Sequence, residues 1–156
     1  IAGLCALIPD SNSREEAVNG ALGLIDKDSE AYEAVLLGIN NAGKPASNLH
    51  EHYGDMSPVH SLNNLSVVVW AFLSFQDSFD EAIGETICCG WDTDCTGATV
   101  GGLIGLDQGS IPELWTEPWQ GRVLTPVSGV GELNLDDLVD RTCALVEKFS
   151  SSPDLP

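Results

Sequence analysis

Residues 90–102 read Gly-Trp-Asp-Thr-Asp-Cys-Thr-Gly-Ala-Thr-Val-Gly-Gly. Asp92 and Asp94 stand two positions apart at the end of a predicted loop, and the small residues after them read as a tightly packed helix. Carboxylate oxygens held this close suit a hard divalent cation such as Mg2+, Mn2+ or Ca2+. The N-terminus of the following helix adds positive potential directed at anions, so the stretch reads as a metal-and-phosphate site. The hydroxyls of Thr93 and Thr96 extend the donor set, and the adjoining glycines admit a ligand close to the backbone. The pattern also has a plainer reading, in which Asp94 caps a helix starting at Thr96 and Asp92 is only solvated.

Other side chains carry weaker signals. His50-Glu51-His52 places imidazoles on either side of an acid, but no third ligand is evident, and a polar loop is the competing reading. His60 reads as a structural, hydrogen-bonded histidine. Tyr53, Trp91, Trp115 and Trp119 offer faces on which an adenine could stack, with ordinary packing as the alternative; Trp91 abuts the acidic pair. The five cysteines, Cys5, Cys88, Cys89, Cys95 and Cys143, form no C-x-x-C pair. Their odd count and spacing argue for reduced thiols in a cytoplasmic protein, with Cys88 and Cys89 packed as small core hydrophobes.

The elements that must position these residues read as helices. Ser13 and Glu16 have capping-box spacing ahead of a helix over 13–25, with Glu16 reaching back. A second helix over 29–41 carries Tyr32, Val35, Leu36 and Ile39 as its apolar stripe; Gly43 stops it and Pro45 lies beyond. Residues 44–58 read as a loop. A long helix over 62–75 repeats Leu62, Leu65, Val69, Phe72 and Leu73 at helical steps. Ser78 and Glu81 form another capping box for a helix to about residue 89, ended by Gly90. The small-residue helix over 96–106 contains Gly97, Gly101, Gly102 and Gly105, each costing roughly 1 kcal/mol against alanine unless a neighbour or ligand approaches closely. Residues 107–133 read as irregular. Asn134 caps a last helix over 135–149 with Leu135, Leu138, Val139, Cys143 and Val146 as its apolar face. No convincing strand is predicted, so the fold class is all-α.

With 156 residues and 43% hydrophobic content, the chain fits one globular domain. Six basic against 24 acidic residues give a net charge of −18. That charge repels nucleic-acid backbones and anionic membranes and favours cations or cation-bridged ligands. Solubility alone is the simpler account of it. The longest apolar run, residues 65–75, falls short of the ~18 residues a membrane span needs. No secretory signal is predicted.

Residues 90–105 resemble the metal-binding motif of the ADP-ribosylglycohydrolase family. That family includes dinitrogenase-reductase-activating glycohydrolases and the ADP-ribosylarginine and ADP-ribosylserine hydrolases. Val59-His60-Ser61-Leu62-Asn63-Asn64 with residues 67–73 is similar to the helix before that motif, and residues 77–90 resemble the approach to it. Ile111-Pro112-Glu113-Leu114-Trp115 resembles the family's Ile-Pro-x-x-Trp turn. Leu135-Asp136-Asp137-Leu138 with Arg141-Thr142 looks like the closing helix of its bacterial branch. The resemblance covers about residues 45–147.

This resemblance implies an all-helical domain around two divalent cations, Mg2+ or Mn2+, and hydrolysis of a glycosidic bond at the anomeric carbon of ADP-ribose. The implied substrate is an ADP-ribosylated protein or a small ADP-ribose conjugate. Asp92 and Asp94 are implied metal ligands, Asp94 the bridging and catalytic one, with Trp91, Thr93 and Cys95 lining the site. Cys95 stands where many members have Thr or Ser, and a thiol is a poor Mg2+ ligand. The Thr-Asp-Asp motif that supplies the family's other ligands is absent from the sequence. The resemblance therefore implies a C-terminal half, residues 1–149, with a frayed tail over 150–156 and the missing N-terminal half as a partner. The alternatives are a non-catalytic helical module that binds a ligand or partner, and an acidic surface that buffers Ca2+.

Overall fold

The computed structural model describes residues 1–150. The tail expected over 150–156 lies outside them, apart from Ser150, which ends the last helix. Contacts divide the chain into two units, Ile1–Ile111 and Pro112–Pro156.

The first unit is built around one apolar helix. In order along the chain it holds α1 (Ala2–Leu7), α2 (Arg14–Leu22), α3 (Glu30–Asn41), α4 (Ser47–Tyr53), α5 (Ser61–Ser74), α6 (Phe79–Cys88) and α7 (Thr93–Gln108). Every residue over 66–73 of α5 is buried. A helix apolar on all sides needs neighbours on all sides, and α2, α3, α4, α6 and α7 all pack against it. His60 starts α5, its Nδ1 accepting the Leu62 N–H at 3.3 Å, in keeping with the structural role expected of it. Within α5, Trp70 donates from its indole nitrogen to the Lys44 carbonyl at 2.9 Å.

The helix starts follow their capping residues. Ser13, Ser29 and Ser78 accept from the N–H groups of Glu16, Tyr32 and Glu81, each at 3.2 Å. Glu16 departs from the expected box, because its carboxylate takes the Asn12 backbone N–H at 2.8 Å and the Asn12 amide at 2.9 Å instead of the Ser13 N–H. The buried stripe of α3 also differs from expectation. Ala34, Val35, Gly38 and Asn41 are buried, while Tyr32, Leu36 and Ile39 are only partly covered. Gly38 explains the shift: a Cβ there would lie 2.7 Å from Val69 Cβ and 2.8 Å from the Ser66 carbonyl, so α3 meets α5 along its smallest residues.

Residues 44–58 are not simply a loop. They contain α4, whose Leu49 and Tyr53, one turn apart, are both buried. Two apolar residues in a polar stretch give too short a period to be recognised in advance.

Arg14 holds three helices together. Its guanidinium is 4% exposed and lies 2.8 Å from Asp107 of α7. It also donates to the carbonyls of Phe72, in α5, and Phe75 at 2.9 and 3.2 Å, and sits 4.7 Å from the centre of the Phe72 ring.

The second unit holds α8 (Glu113–Thr116), a 3-10 turn (Glu117–Trp119), β1 (Arg122–Thr125), β2 (Gly131–Asn134) and α9 (Leu135–Ser150). The strands pair antiparallel with Val123 opposite Leu133 and Leu124 opposite Glu132. This hairpin corrects the expectation of no strand, since four-residue strands are too short to show a clear alternation. Asn134 caps α9 as expected, its Oδ1 accepting the Asp136 N–H at 2.8 Å. No described residue of this unit is buried, and the expected apolar face of α9 is mostly exposed, including Val139 at 50% and Val146 at 59%. Within its own unit α9 packs on β2 of the hairpin. The all-helical character of the chain stands, with this hairpin as a minor addition. Among the described residues no helix is long and apolar enough to cross a membrane.

Candidate metal centre

The candidate site forms where α6 turns into α7. Cys89 closes α6, and Gly90 and Trp91 follow with φ of 82° and 59°. Glycine takes a left-handed conformation freely, whereas for a tryptophan it costs roughly 1–2 kcal/mol. The turn drops Asp92 into the N-cap position of α7, which begins at Thr93, three residues before the predicted start. Asp94 is therefore in the first turn and is not the N-cap, and Asp92 makes no side-chain cap bond.

Thr96 secures this geometry from below. It is 1% exposed. Its N–H and its hydroxyl both donate to the Asp92 carbonyl at 2.9 Å. That fixes the backbone of Asp92. Thr93 is half-buried at the same turn.

Asp92, Asp94 and Cys95 come together. One ligand atom from each lies within 4.8 Å of the others, the single such group among the described residues. A side-chain hydrogen bond with Asp92 holds the Asp94 carboxyl below the usual carboxylate range, and the N–H groups of Asp94 and Cys95 push the same way. The Cys95 thiol is raised, first by its hydrogen bond with Asp92 and then by the charges of Asp92 and Asp94. A thiol that keeps its proton donates to Asp92 and does not compete as a ligand.

Trp91 is half-buried and stacks on His50 of α4, ring centres 3.9 Å apart and planes 23° from parallel. His50 Nε2 also donates to the Cys89 carbonyl at 2.7 Å and lies 3.8 Å from its Sγ. His50 and His52 do not gather as metal ligands, and His52 packs edge-on against Tyr53 at 4.6 Å. Tyr53 is only 6% exposed, which removes it as an adenine platform, while Trp119, in the second unit, is 53% exposed. Cys89 is buried as expected but Cys88 is exposed, because the last turn of α6 points it outward. Burial pushes the Cys89 thiol up to about 11.

A cavity of about 330 Å³ adjoins the turn, lined by Ser61, Asn64, Val68, Cys95, Thr96 and Thr99 among others. Asn64 Oδ1 is the buried side-chain polar atom left without a hydrogen-bond partner among the described residues. Neither this acceptor nor the contact between His50 and Trp91 can be read from local spacing, since both depend on tertiary packing.

A family model described as ADP-ribosylglycohydrolase matches residues 1–152, which includes the N-terminal helices that the sequence motifs left out. No curated protein and no solved structure matches the chain.

Proposed function

The chain belongs to the ADP-ribosylglycohydrolase family, and on that premise we propose that it is a metal-dependent hydrolase of a glycosidic bond in an ADP-ribosylated protein or small ADP-ribose conjugate. The observation that carries this reading is the convergence of Asp92, Asp94 and Cys95 within 4.8 Å at the head of α7. The donor set fits a hard cation, Mg2+ or Mn2+, because its anionic members are carboxylates and its thiol stays protonated.

Asp92 and Asp94 are the residues that would hold the cation. The Asp94 carboxyl is held below the usual carboxylate range, which suits a ligand better than a proton acceptor at neutral pH. Its catalytic part on this reading is to fix the cation against substrate. A bound cation would supply Lewis acidity toward a ribose oxygen and toward water. Thr96 anchors the Asp92 backbone, and Cys95 orients its carboxylate. Thr93 and Trp91 edge the site. Asn64 lines the neighbouring cavity together with Cys95, Thr96 and Thr99. The net charge of −18 disfavours nucleic acid and membrane as partners. Five free thiols suit a reducing compartment such as the cytoplasm.

The short ligand set favours a second reading, a non-catalytic module that binds a ligand or a partner, including a chain that supplies further carboxylates. One experiment separates the two: release of ADP-ribose from an ADP-ribosylated protein, measured with and without Mg2+ or Mn2+. The hydrolase reading expects cation-dependent release that Asp94→Ala lowers by more than about 100-fold, beyond the loss typical of residues outside the ligand set. Cation binding without release favours the module. Release that neither needs a cation nor responds to Asp94→Ala overturns the metal assignment.

A further inference from the structure

We propose that His50 is a positioning residue for the acidic pair, acting from α4 by fixing the turn that presents it. This rests on the reading of Asp92 and Asp94 as cation ligands. Two consecutive residues, Gly90 and Trp91, are in the left-handed region, at φ 82° and 59°. A bulky side chain is held there only when its surroundings over-determine the conformation. His50 grips the turn on both sides. Its Nε2–H donates to the Cys89 carbonyl, just before Gly90, at 2.7 Å. Its ring stacks on Trp91, just after Gly90, at 3.9 Å.

The next residue is Asp92, so a rotation in this turn would move the Asp92 carboxylate directly. Leu49 and Tyr53, both buried, seat α4 in the core on either side of His50. The grip is therefore anchored to the body of the first unit and does not depend on the turn itself. The carbonyl can only accept, which leaves Nε2 as the donor and the imidazole face free to stack.

The test measures manganese binding to the full chain by calorimetry, together with hydrogen exchange of the amides over residues 90–94. His50→Ala removes both contacts. His50→Phe keeps a ring for the stack without the donor, and His50→Gln keeps a donor without the ring. The proposal expects His50→Ala to weaken manganese binding at least about tenfold, the scale typical of residues that orient ligands. It expects faster exchange confined to residues 90–94 and unchanged stoichiometry. His50→Phe and His50→Gln each lose at least about threefold and less than His50→Ala, a graded rescue that a general loss of stability would not give. If His50→Ala does not fold, the other two variants decide. Manganese affinity equal to the unaltered chain in every folded variant overturns this proposal alone. No manganese binding by the unaltered chain overturns the metal reading, and this proposal with it.

Discussion

Gly38 and Gly102 are both helical glycines, yet they should respond to the same substitution in opposite ways. At Gly38 a methyl group would meet Val69 Cβ at 2.7 Å and the Ser66 carbonyl at 2.8 Å. Overpacking there costs typically 1–3 kcal/mol against a propensity gain of about 1. Gly38→Ala should therefore lower stability by about 1 kcal/mol in denaturant unfolding. At Gly102 nothing lies within 4 Å of the position the methyl would take, so Gly102→Ala should raise stability by about 0.5–1 kcal/mol. The glycines of α7 were expected to mark a close approach, and three of them do meet a neighbour. At Gly97, Gly101 and Gly105 that neighbour is the tip of Ile87, Ile83 or Ile111, and at Gly102 there is none. Cysteine reactivity gives a second check at this scale. With its thiol at about 11, Cys89 remains protonated at neutral pH, and its thiolate fraction climbs about tenfold per pH unit until that value. Alkylation at pH 8, followed by peptide mass spectrometry, should label exposed Cys88 and Cys143 well before Cys89. Equal labelling would contradict the burial.

Among the elements, α2, α5 and α7 are tied by the Arg14 side chain. Arg14→Ala strands the Phe72 and Phe75 carbonyls and leaves Asp107 without its cation, which should cost about 3 kcal/mol or more in equilibrium unfolding. A loss below about 0.5 kcal/mol would show that water replaces the guanidinium without penalty. This clamp was not legible in the sequence, where Arg14 stands as an ordinary first-turn residue behind Ser13. What was legible were features written locally: the serine caps at Ser13 and Ser78, the long apolar run that became α5, and the stop at Gly90. The spacing of Asp92, Asp94 and Cys95 likewise anticipated that they share one helix end, because first-turn positions crowd together. Missing were features that neighbours decide. Helix α4 is held by two buried side chains, the hairpin by four-residue strands, and the early start of α7 by the Thr96 hydroxyl on the Asp92 carbonyl. His50 and Trp91 each carry a signal of their own in the sequence, and only packing joins them.

For the molecule as a whole, charge is the broadest influence. Acidic side chains number 24 against six basic ones, so most carboxylates face other carboxylates or water. Such self-repulsion acts against the folded chain and is screened as the Debye length falls from about 30 Å at 0.01 M salt to a few Å near 1 M. Raising sodium chloride across that range should raise Tm by several degrees in a thermal melt; a flat response would mean that the repulsion is already relieved by structure. Order of assembly follows from the Arg14 clamp. Its carboxylate partner is 93 positions further along the chain, and its nearer carbonyl partner is 58 positions away. During synthesis the guanidinium emerges ahead of the α5 carbonyl that receives it, and its carboxylate follows later still, at the far end of α7. The early helices can cover themselves on α5, but the clamp closes only with the segment that carries the acidic pair, which ties completion of the core to arrival of the chemistry.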